Sequence, residues 1–123
     1  MPFNLSKATK LKEVRFECTG LNVRWIAATL RTAKSTNFRN ITIMVTSCVA
    51  PPNSVEEMVH REWQDLDHLL VQLWTSRLIR PKITYMERRV AKGLGKLVLS
   101  LLPNLAGKGV VSGVGKYRRR PEW

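Results

Sequence analysis

Cysteine and histidine are scarce in this chain, two of each among 123 residues, and nine acidic side chains stand against 21 basic ones. Cys18 and Cys48 are too few for a disulfide scaffold, and they do not sit at a paired CxxC spacing. His60 and His68 fall on one predicted helix about 12 Å apart along its axis, too far to share a metal ion. With no third histidine, imidazole catalysis is confined to these two positions. Glu57 and Asp67 read as residues of the same helix's solvent side. Glycine pairs at Gly93-x-Gly95 and Gly107-x-Gly109 fall short of a phosphate-binding loop and read as turn and cap glycines. No catalytic site, metal or cofactor is expected.

Long apolar runs are missing as well. No stretch approaches the ~18 apolar residues of a membrane span. The first residues, MPFNLSKATKLKEVRFE, lack the apolar stretch of a signal peptide. The expectation is a soluble intracellular protein, cytoplasmic or nuclear, that keeps off membranes and holds both thiols reduced. Its 44% apolar content is that of a globular domain. The length allows one domain, expected over residues 11–112 between a loose amino-terminal stretch (1–10) and a loose basic tail (113–123).

Charge is unevenly spread. Residues 1–40 carry eight Lys/Arg and two acids, residues 41–80 three and five, and residues 81–123 ten and two. An acidic middle between basic ends favours an anionic partner at one or both ends.

Val14, Phe16 and Cys18 alternate with Arg15 and Glu17, a period-two pattern that predicts a strand. In LNVRWIAATLRTAKS, Val23, Ile26, Ala27 and Leu30 fall on one helical face, and Arg31 and Lys34 suit the negative end of that helix. Ile41, Ile43 and Val45 mark a second strand, and the prolines of Ala50-Pro51-Pro52-Asn53 a loop. From Ser54, a capping-box pattern with Glu57 starts a helix to about Ser76. Its buried stripe is Val59, Leu66, Leu69, Leu70 and Leu73. Pro81 is read as a stop, and Lys82–Met86 as a third strand. Leu94, Leu97, Val98, Leu101, Leu102 and Leu105 mark a third helix that Pro103 kinks or ends. Val110-Val111 opens a last short strand.

The alternation βαβαβα(β) predicts an α/β fold with parallel strands. Two arrangements fit: a short array of strand–helix units like leucine-rich repeats, or a small open parallel sheet. Leu11, Val14, Phe16 and Leu21 occupy the apolar slots of a leucine-rich repeat. Phe38, Ile41, Ile43 and Cys48 repeat them 27 residues later, and Ile83, Tyr85 and Val90 fill three of them 42 residues further on. The Asn/Cys slot holds Thr19, Thr46 and Arg88 instead, and the third unit opens on Arg80.

The stretches LRTAKSTNFRNITI, EWQDLDHLLVQLWTSRLIRPKITY and LLPNLAGKGVV resemble the carboxy-terminal repeats of the F-box-like proteins of mushroom-forming fungi. The resemblance covers about residues 10–112, and its most specific part is EWQDLDHLL…IRPKITY. It implies a repeat region that recognises clients. The residues before Leu11 are too few for an F-box, so it implies a client-recognition fragment or a decayed paralogue without the docking half. The tail after Val111 departs from the family pattern.

The leading expectation is a non-catalytic protein-interaction module. Its candidate contacts are Arg80, Arg88 and Arg89 beside the third strand and Trp63 on the long helix, since Trp and Arg anchor many interfaces. The alternative partner is nucleic acid, held electrostatically by Lys116, Tyr117, Arg118, Arg119 and Arg120, one ring among four cations. Trp25 and Trp74 are expected partly in the core, and Cys18 inside it. An array this short, without obvious caps, would leave Val14, Phe16 or the last helix uncovered and invite self-association.

Overall fold

In the computed structural model the strands run in one direction and lie side by side in chain order, β1-β2-β3-β4. The described residues are 5, 7–19, 21–35, 37–47, 55–86 and 92–113. The elements are β1 (Glu13–Thr19), α1 (Arg24–Leu30), β2 (Asn40–Thr46), α2 (Glu57–Arg77), β3 (Arg80–Tyr85), α3 (Leu94–Leu101), α4 (Pro103–Gly107) and β4 (Val111–Gly113). This is the small open parallel sheet. Because each crossover steps the same way, right-handed connections place every helix on one face.

Side-chain parity agrees with that layering. Phe16, Cys18, Ile41, Ile43, Val45 and Ile83 are buried toward the helices. Ile26 and Leu30 of α1, Trp63, Leu66 and Leu70 of α2, and Val98, Leu101 and Leu105 from the last two helices close over them. Each such apolar side chain, fully buried, contributes roughly 1.5–3 kcal/mol.

Pairing offsets follow from the register: 27 residues from Glu13 to Asn40, then 40 from Asn40 to Arg80. The first matches the predicted repeat. The second corrects the predicted 42 by two residues, a shift that keeps every side chain on its face because the pleat has period two. Cys48 and Val90, predicted repeat positions, lie outside the described residues.

Pro81 does not stop anything; it is buried inside β3. Arg80 and Met86 send their N–H groups toward β2, and Ile83 sends its own to Val110 O at 3.0 Å, toward β4. Pro81 has the parity of Ile83, at a level where β4 has not begun, so its missing N–H removes no ladder bond. The long helix ends earlier, at Leu78, whose backbone is left-handed (φ 57°).

α1 is half the predicted length. After Leu30 the bonds shorten to i→i−3, Thr32 N–H to Thr29 O and Ala33 N–H to Leu30 O, which tightens and closes the helix. Ser35 then leaves it, its buried hydroxyl 2.9 and 2.8 Å from the carbonyls of Thr9 and Leu11. Arg31 does not serve the helix end; it pairs with Asp65 of α2 at 2.9 Å. Ser54 lies outside the described residues, and α2 starts after Glu56.

Pro103 splits the third helix. Leu102, before the proline, is held out of helical geometry (φ −124°, ψ 60°), and Pro103 opens α4 at its first turn. The start of α4 is met by Asp67 of α2, which is 1% exposed and therefore not on the solvent side as predicted. Its Oδ1 accepts from Leu105 N–H at 3.0 Å, and its Oδ2 from the Asn104 side-chain amide at 2.8 Å and backbone N–H at 3.2 Å.

At the amino-terminal edge Phe16 is buried rather than uncovered, edge-to-face with Trp25 at 5.4 Å, and Val14 is half-buried. Leu5, in the stretch predicted to be loose, packs on the core and donates its N–H to Thr32 Oγ1 at 2.6 Å. Gly113 pairs with Tyr85, so β4 runs one residue past the predicted boundary. No helix among the described residues is long and apolar enough to cross a membrane.

Candidate functional site

The pleat that sends Phe16, Ile43 and Ile83 into the core sends their neighbours to the other side of the sheet, where no described helix packs. The register aligns these outward residues in rows. Glu13, Asn40 and Arg80 form one, Arg15, Thr42 and Lys82 the next, and Glu17, Met44, Thr84 and Ser112 a third. Adjacent strands are about 4.8 Å apart and successive outward residues about 7 Å apart along a strand.

Arg15, Arg80 and Lys82 are exposed, as are Glu13 and Glu17, while Thr42 and Met44 are half-buried. The ion pairs among the described residues, Arg31 with Asp65 and Arg61 with Glu57, both lie on the helical side. Among the described residues the sheet face thus presents Arg15, Arg80 and Lys82 without an ion-paired acid. Thr84, on the same face, is 8% exposed, and its Oγ1 has no hydrogen-bond partner among the described residues.

A concavity of about 310 Å³ lies between α1 and α2, lined by Arg24, Ala27, Ala28, Met58 and Arg61 among others. Its charges largely cancel through the two ion pairs.

The predicted site residues separate. Arg80 stands exposed at the head of β3 on the open face. Trp63 is not a surface anchor: it has no exposed surface, and its indole N–H donates to Leu21 O at 3.0 Å. Its burial follows from helical spacing, for Trp63 continues the stripe of Val59, Leu66, Leu70 and Leu73. Arg88, Arg89, Lys116, Tyr117, Arg118, Arg119 and Arg120 lie outside the described residues. Lys82, Arg15 and Thr84 were not singled out from sequence. Their alternation with Ile83, Phe16 and Tyr85 carries the signal, since whatever flanks an inward strand residue faces outward.

Cys18 is buried, its thiol 3.4 Å from Asn22 O, and burial pushes its pKa up to about 11. It is held as a neutral thiol, the opposite of an activated nucleophile. Among the described residues no three His, Cys, Asp or Glu side chains cluster as metal ligands. The strand order never reverses, so the sheet has no switch point of the kind where doubly wound folds bind nucleotides.

No protein-family model, curated protein or solved structure compared with the chain matches it.

Proposed function

We propose that this chain is a non-catalytic protein-interaction module and that the open face of its sheet is the contact surface. The observation behind this reading is the asymmetry of the sheet. One face carries every described helix and the core, and the other offers exposed Arg15, Arg80 and Lys82 with no ion pair among the described residues. Parallel sheets are ordinarily covered on both faces. A face on which no described helix packs, with polar side chains in regular rows, supplies an extended surface for a second chain. The client-recognition role implied by the F-box-like resemblance is the specific form of this proposal.

The test is co-precipitation from nuclease-treated extract with the wild type and with Thr42→Trp, which puts a bulky ring at the centre of the face. A partner retained by the wild type and lost by the variant, at unchanged thermal stability, supports the reading. Equal retention by both contradicts it.

Nucleic-acid binding through Lys116–Arg120 is the competing proposal, favoured by the excess of 21 basic over nine acidic residues. It requires affinity that falls steeply with salt and is lost when Arg118, Arg119 and Arg120 become alanine.

A further inference from the structure

We infer that the partner segment taken by the open face is acidic, with its carboxylates over β3. This rests on the reading above and names the chemistry of the partner.

Charge is polarised across the face. β3 carries Arg80 and Lys82 on the outward side, about 7 Å apart, and no outward acid. β1, two strands or about 10 Å away, carries Glu13 and Glu17 on either side of Arg15. A nucleic-acid backbone, charged at every phosphate, would bring phosphates against those glutamates when it crossed the face. A protein segment places its charges selectively and meets a basic strip beside an acidic one without that conflict. The aromatic side chains of the strands also point away: Phe16 lies against Trp25, and Tyr85 has Gly95 and Gly113 against its ring. No outward strand residue among the described ones offers a ring on which a base could stack.

Thr84 follows Arg80 and Lys82 in the same outward line of β3, and its buried hydroxyl has no hydrogen-bond partner among the described residues. Buried hydroxyls are otherwise almost always bonded. A carboxylate laid along β3 meets two exposed cations, Arg80 and Lys82, with buried Thr84 next in line. Asn40 and Thr42 on β2 flank this line with further polar groups. β2 and β3 are seven and six residues long, about 20 Å, the span of roughly six residues of extended peptide.

The experiment is fluorescence anisotropy on the full chain with two probes: a labelled peptide of about ten residues with alternating Glu and Ser, and a labelled oligothymidylate. Charge reversal of the exposed pair, Arg80→Glu with Lys82→Glu, is expected to weaken the acidic peptide at least about tenfold and leave the oligonucleotide unchanged. Thr84→Val, which removes only a buried hydroxyl, is expected to leave peptide binding unchanged while the melting temperature holds or rises. A circular-dichroism melt controls for folding. Peptide binding unchanged by the charge reversal overturns the inference. So does an equal loss for the oligonucleotide, which would make the face a nucleic-acid site. If charge reversal is silent but Thr42→Trp still removes the co-precipitated partner, the acidic segment is wrong and the interaction face stands. If both are silent, both fall.

Discussion

Three donors converge on the buried carboxylate of Asp67, which joins α2 to the first turn of α4. Asp67→Ala leaves the N–H groups of Asn104 and Leu105 buried or half-covered without an acceptor, and is expected to cost about 2–4 kcal/mol. A urea melt with a lowered midpoint and an unchanged slope would show it. Cys18 contributes a pH dependence of definite sign. Its thiol is raised from 9.0 to about 11 in the folded chain, so above pH 9 the unfolded chain loses the proton first. The associated stability is complete below pH 9 and falls as pH rises toward 11, by up to about 3 kcal/mol. Comparing the pH profiles of the wild type and Cys18→Ala isolates it: the difference should shrink or reverse over that window, and parallel profiles would contradict it. Cys18 was legible from sequence because its inward parity was. Trp63 and Asp67 were not, since Trp favours both cores and interfaces, and an acid on a helix reads as solvated until the helix it caps is in place.

Strands were the more legible elements, because period-two alternation of β-branched residues reports both existence and face. Helix ends were less so. α1 closes early through tertiary ties, the Ser35 hydroxyl to the Thr9 and Leu11 carbonyls and the Arg77 guanidinium to the Ala33 and Ser35 carbonyls, that no local window contains. Two substitutions test the element boundaries. Leu78 caps α2 in the left-handed region with its side chain 75% exposed, so Leu78→Gly removes strain and little packing. It is expected to raise stability by about 0.5–1 kcal/mol, read as a higher urea midpoint. At Gly95 of α3 an added methyl group would run into the Tyr85 ring. Gly95→Ala is expected to destabilise by about 1–3 kcal/mol despite alanine's better helix propensity, and a gain would contradict this contact.

At the scale of the molecule, the α/β class and parallel strands followed from the alternation of patterns. The choice between a repeat array and an open sheet rests on pairing offsets of 27, 40 and then 28 residues, as read from Ile83 to Val111. The unequal middle step reflects the 21-residue α2 and the ten residues between β2 and α2, and a search for one repeat length could not anticipate it. Of the candidate surface, Arg80 was legible and the face it belongs to was not, because a face exists only once the register joins three strands. Amide chemical-shift mapping during titration with the acidic peptide locates the contact surface on the sheet face or elsewhere. The account predicts shifts centred on Arg15, Thr42, Lys82 and Thr84, with Ala28 and Arg61 on the helical side unmoved. Shifts confined to the α1–α2 groove or to Lys116–Arg120 would contradict it.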